Sequence, residues 1–301
     1  QTFLISLYFV TFFGLSYIAG VSTFDILLST KFFLIILLLI NIKPIATNKY
    51  ELMRLARFII VIFLVSYSFQ SLLGEVRPKV FVENNFEIPF VLLFVGLLFF
   101  LNDRRKNLFF LFALLIIFMS GSRSGLFSLF ACSIIFYFKN YKMILALTGL
   151  FSFSILYFFY EILPPTDRLF FFEAFFQTFT SRSIENILFG NLYLIELDPH
   201  TCYRFRYYSE LFSFQSSSTC YSNIFHMMNI RVINDFGLVG LTLFFLIINS
   251  SLKKICTYKA ADLITLLFLL NGFSVSGLNN NLLFLGAVIV AFSMNKSIIK
   301  N

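Results

Sequence analysis

Six arginines and one histidine stand out in this 301-residue chain as side chains placed to do chemistry. Arg123 sits in SGSRSG, residues 120–125, at the junction of two apolar runs, while Arg168, Arg182, Arg204, Arg206 and Arg231 share the stretch from Pro164 to Arg231. That stretch holds no lysine. The bias matters because a guanidinium is a planar fork that grips phosphate oxygens bidentately, whereas an ammonium is a point charge. Both histidines, His200 and His226, fall in the same stretch. His226 lies close to Arg231, and a base beside a phosphate-binding arginine is an acid–base arrangement; His200, after Pro199, reads as incidental. Asp167, Glu173, Glu185, Glu196, Asp198 and Glu210 are spread singly through the segment. They suit pairing with Arg or water rather than a metal site, so neither metal nor cofactor is expected. Cys202 and Cys220 also lie here. They read either as free thiols or, in an oxidising compartment, as a disulfide adding roughly 3 kcal/mol.

The elements that must position these groups are apolar. Only 13% of residues are charged, against about 25% in soluble domains. Apolar runs approaching 20 residues recur, which predicts an all-α polytopic membrane protein. We expect ten spans, near 2–20, 24–42, 55–73, 87–101, 108–120, 124–138, 143–163, 230–249, 262–273 and 280–294. Gln1 lies inside an apolar run with no cleavable signal ahead of it, so earlier chain and earlier spans are expected. Phe is abundant (46) and Trp absent, leaving the 14 Tyr to form any interfacial belt.

Orientation follows from the short loops. Lys43, Lys49, Arg54, Arg57, Arg104, Arg105, Lys106, Lys139, Lys142, Lys253, Lys254, Lys259, Lys296 and Lys300 all fall on one side if the spans alternate. The positive-inside rule makes that side the cytoplasm. Scattered in this way, the basic residues form no face for nucleic acid, despite a net charge of +8. The division expected is 1–163, the first seven spans; 164–229, a large periplasmic loop; and 230–301, the last three spans with a cytoplasmic tail. Both ends of the chain are then cytoplasmic. Lys31 reads as snorkelling outward, and Arg77 and Lys79 as a solvated loop paired with Glu75, Glu83 and Glu87. Within the large loop, Phe171, Phe172, Phe175, Phe176 and Phe179 repeat at helical spacing. They predict an amphipathic helix, lying in the membrane interface or packed on the other helices.

Three segments resemble the bacterial O-antigen polymerase and O-antigen ligase superfamily. SGSRSG (120–125) is similar to its Ser-Arg-containing turn at the start of a span. DRLFFFEAFFQTFTSRSIENILFGN (167–191) resembles its Arg-led external helix and the Pro-Leu-Phe-Gly-like turn after it. HMMNIRVINDFGLVGL (226–241) resembles its His-Asn segment followed by Gly-x-x-Gly. Ile187 stands where the family often has Pro, Asn191 and Leu192 replace a glycine-containing turn, and Met227 follows His226 where ligases have Asn or Ser. The last difference favours polymerase.

The resemblance implies a glycosyltransferase of the inner membrane that joins undecaprenyl-diphosphate-linked oligosaccharide repeat units, with lipids of that kind as both donor and acceptor. It implies that Arg123, Arg168 and Arg231 bind diphosphate, that Arg204 and Arg206 assist or touch sugar, and that His226 is general base. Arginines preorganised against a departing diphosphate need no metal. The bland alternative for Arg123 is capping of turn carbonyls. A chain-length regulator protein is a further expected partner. The rival readings are a ligase acting on lipid A–core and a lipid-linked oligosaccharide flippase. A flippase fits less well, because transporters put ionisable groups at the midplane of broken helices, and these spans hold few beyond Lys31 and Asp235.

Overall fold

The computed structural model describes residues 2–41, 48–81, 84–145, 167–216, 218–225, 227–273 and 280–294. Its regular elements are helices: α1 (Thr2–Ile18), α2 (Thr23–Asn41), α3 (Lys49–Leu72), α4 (Asn84–Phe100), α5 (Lys106–Ser120), α6 (Arg123–Tyr137), α7 (Asp167–Thr180), α8 (Ile184–Phe189), α9 (Pro199–Arg204), α10 (Met228–Ile255), α11 (Tyr258–Gly272) and α12 (Asn281–Ser293). Short 3-10 turns cover Arg206–Leu211 and Ser222–Ile224.

Polar residues between the apolar runs supply the caps that start these helices. Side chains of Asn48, Ser122, Ser183, Asp198 and Asn280 accept first-turn amides of α3, α6, α8, α9 and α12. Pro199 occupies the first turn of α9, where its missing N–H costs nothing. Helices α1–α6 and α10–α12 lie at nine of the ten segments expected as spans. The seventh, 143–163, falls almost wholly outside the described residues. Helices α3 and α10, with 24 and 28 residues, are long and apolar enough to cross a membrane, and α4, α5, α6 and α12 are apolar but shorter.

Two compact units divide the chain differently from its expected division by membrane side. The first combines 1–42, 167–252 and 272–279; the second combines 43–166, 253–271 and 280–301.

In the second unit α4 is the hub, buried without interruption from Glu87 to Leu98 and contacted by α3, α5, α6 and α12. Gly125 of α6 fits against it, since a Cβ there would meet Ile88 Cδ1 at 2.9 Å. Arg57 of α3 donates from Nε to the buried carboxylate of Asp103 at 2.7 Å. Lys253 pairs with Asp262 at 3.1 Å, and Tyr141 donates to the same carboxylate. One expectation is corrected here. Glu87 is not part of a solvated loop: it is fully buried, accepting from the Tyr67 hydroxyl at 2.8 Å and from the amides of Val80 and Phe81.

In the first unit the segment after α7 builds its own core. Phe171, Ala174 and Phe175 of α7 pack with Cys202, Phe205, Phe212, Cys220, Phe225, Met227, Ile230 and Ile233. Of the two placements expected for α7, packing is seen on one face: this core takes up the side carrying Phe171 and Phe175. Phe176 is half exposed, because five residues at about 100° each turn it away from Phe171. Cys202 and Cys220 form a disulfide across this core, with Cα atoms 5.7 Å apart.

Candidate functional site

Helix α10 is broken. Gly237 has φ 70° and ψ −179°, outside the helical region, so residues 228–236 and 238–255 are two helical pieces joined at one glycine. The break exists because another backbone lies against it. A Cβ on Gly237 would meet the Leu188 carbonyl oxygen at 2.3 Å, and one on Gly190 would meet Phe236 Cα at 2.4 Å. Gly190 also has positive φ, at 72°. Each position excludes any side chain, so the end of α8 and the kink of α10 sit backbone to backbone.

Breaking a helix leaves carbonyls without intrahelical donors. Here the loop supplies them. The Asn191 amide donates to the Asp235 carbonyl at 2.9 Å. Arg182 donates from Nη1 to the Asn234 carbonyl at 2.6 Å and from Nη2 to the Asn234 side chain at 2.9 Å. Burial pulls the Arg182 pKa below its ordinary value, with Asp235 pulling the other way. Arg182 thus caps the first half of α10, a structural role the sequence did not suggest.

All residues from Met227 to Phe236 are buried, and four of them are polar: Asn229, Arg231, Asn234 and Asp235. Asp235 accepts from the Ser222 hydroxyl at 2.6 Å and from Asn234 Nδ2 at 2.9 Å. Arg231 uses Nη2 on the Leu28 carbonyl of α2, at 3.1 Å, and on Asn223 Oδ1, which also accepts from Ser29. Nearby, Asp25 holds the loop onto the start of α2 by accepting from the Ser213 hydroxyl at 2.7 Å and from the Phe214 amide. Tyr221, buried beside this point, has its pKa pushed up to about 12 by burial, then by Glu196 and Asp25.

The expected site residues divide as follows. Arg123 is the first residue of α6 and is exposed; it makes no hydrogen bond or ion pair with any described residue. Ser122, not Arg123, caps that helix, and Gly121 ends α5 in the left-handed conformation. Arg204 pairs with Glu173 at 3.0 Å and with Gln177, tying α9 to α7. Its guanidinium faces a carboxylate of its own chain, which argues against the sugar-contact role expected of it. Arg206 is exposed and lies over the Tyr203 ring, 5.1 Å from its centroid. Arg168 lies in the first turn of α7, its side chain outside the described residues, as is His226. Arg123 belongs to the second compact unit and the other arginines to the first. Among the described residues, no group of three or more His, Cys, Asp or Glu gathers to hold a metal.

No family model, curated protein or solved structure matches this chain. The likeness to a known family is confined to the three short segments quoted above. Two of those segments, 167–191 and 226–241, are distant in sequence and meet at Gly190 and Gly237.

Proposed function

We propose that the chain is a multi-pass inner-membrane glycosyltransferase that polymerises undecaprenyl-diphosphate-linked repeat units at the outer membrane surface. Arg123 carries the reading. An exposed guanidinium with no described partner, at the N-terminal end of an apolar helix, is suited to an anionic headgroup at interface depth. In the reaction the acceptor hydroxyl attacks the anomeric carbon of the donor, the bond to diphosphate breaks, and charge collects on the phosphate oxygens. Fixed guanidinium groups stabilise that charge. Arg123, Arg168 and Arg231 take the diphosphates of donor and acceptor, Arg206 with its Tyr203 platform takes sugar, and His226 accepts the hydroxyl proton.

Contacts inside each unit accord with the alternation of spans that this proposal assumes. Arg57–Asp103 and Lys253–Asp262 join helix ends on the lysine-rich side. Tyr67–Glu87, Asp25–Ser213 and Ser29–Asn223 join ends on the opposite side. The Cys202–Cys220 bridge suits an oxidising compartment there.

The test is polymerisation in a strain lacking its own copy, scored on lipopolysaccharide gels with protein levels matched. Arg123→Ala should leave core capped by a single repeat, and Arg123→Lys should rescue poorly because a bidentate grip is lost. Uncapped core would indicate ligase chemistry. Normal chain length in Arg123→Ala removes this residue from the site and the proposal with it.

A further inference from the structure

Lys31 lies in α2 about 12 Å from its first residue at 1.5 Å per residue. It is partly buried and hydrogen-bonds to no described residue. Its neighbourhood is set by Arg231, which donates to the Leu28 carbonyl one helical turn before Lys31 on the same face of α2. The ammonium and guanidinium are within electrostatic reach of one another. Arg231 is 8% exposed, yet among the described residues only its Nη2 meets acceptors, and Nε and Nη1 meet none there. A guanidinium carries five N–H donors, and buried donors without acceptors are costly.

The local charge does not balance. Among the described residues, Arg231 and Arg182 share one nearby carboxylate, Asp235, which is already held by Ser222 and Asn234, and Lys31 adds a further cation beside Arg231. Asp25, higher on α2, is taken by Ser213 and Phe214. Buried cations are tolerated when paired or when they serve an anionic ligand.

We propose that Lys31 and Arg231 together form a binding site for a phosphate-bearing lipid headgroup, in which Lys31 supplies a point charge and Arg231 the donors of Nε and Nη1. The site's chemistry follows from the first compact unit alone. Only the identity of the lipid, a polyprenyl diphosphate as against an ordinary anionic phospholipid, rests on the glycosyltransferase reading.

The experiment is native mass spectrometry of the full chain, titrated separately with undecaprenyl diphosphate, phosphatidylglycerol and undecaprenol. Lys31→Gln should weaken undecaprenyl diphosphate by about tenfold or more, the weight of one charge-assisted contact. Lys31→Arg should stay near wild type, and undecaprenol should not respond to either change. A parallel loss for phosphatidylglycerol would keep the site and withdraw support from the glycosyltransferase reading. Loss for the diphosphate alone supports both. Unchanged binding of both anionic lipids in Lys31→Gln overturns the inference. Thermal unfolding of Lys31→Gln, expected at or above the wild-type midpoint, separates lost binding from lost folding.

Discussion

Replacing Gly237 by alanine tests the backbone contact on which the described site is built. Two costs add. A non-glycine residue at φ 70° and ψ −179° occupies a region essentially reserved for glycine, at about 1–3 kcal/mol. The new Cβ would also stand 2.3 Å from the Leu188 carbonyl oxygen and 2.5 Å from the Gly190 nitrogen. Those are backbone atoms, which cannot swing aside as a flexible side chain can, and overpacking of this kind costs about 1–3 kcal/mol more. The sum, roughly 2–6 kcal/mol, lowers a thermal midpoint by about 4–12 °C at ~2 °C per kcal/mol. With no Trp in the chain, the natural assay is a thiol-reactive dye reporting exposure of Cys132 and Cys256, both buried thiols outside the disulfide. Two controls calibrate it. Gly14→Ala, in α1 with open space around it, should be neutral or slightly stabilising. Gly74→Ala, at φ 84° with open space, should show strain alone, about 1 kcal/mol. If Gly237→Ala melts with Gly14→Ala, the backbone contact is absent and the site description fails.

Further outcomes are expected. Cys202→Ser with Cys220→Ser should cost about 3 kcal/mol through loss of a cross-link over 18 residues, and a reductant should lower the wild-type midpoint toward that of the double variant. Arg182→Ala should destabilise by about 1–3 kcal/mol, because it uncovers the Asn234 carbonyl at the helix break, whereas Arg123→Ala should leave the melting midpoint unchanged. Tyr221, with its pKa pushed up to about 12, binds its proton more tightly when folded than unfolded. Its contribution is complete below pH ~10 and lost as pH rises from there to about 12. Alkaline melting curves of Tyr221→Phe should therefore fall less steeply over that window than those of wild type. For sidedness, Ser209→Cys should react with an impermeant maleimide on intact spheroplasts and Lys254→Cys only after lysis; the reverse pattern would invert the orientation.

The helices were legible in the sequence because run length and capping residues are local, as at Asn48–Tyr50 and Ser122–Gly125. The site was legible only as a set of residue types. Gly237 sits in an apolar run that reads as continuous helix, and nothing local reveals that Leu188 will lie against it. Arg182 looked spare because its partner is a main-chain carbonyl freed only by that break. Arg204 looked available because Glu173, its partner, is distant in sequence. Lys31 read as an isolated snorkelling lysine until the Arg231–Leu28 contact brought a second cation beside it. In each case the missing information was tertiary.

The seclusion of α4 bears on how the protein would answer to its lipids. Enclosed from Glu87 to Leu98, a helix of 17 residues spans about 25 Å, less than a typical ~30 Å hydrocarbon core. Its middle is covered by other side chains, so in a bilayer a mismatch of length would act instead on longer helices such as α3, which exposes Phe58, Val65 and Phe69. Reconstitution into thicker or thinner bilayers should tilt that rim while the centre keeps its register.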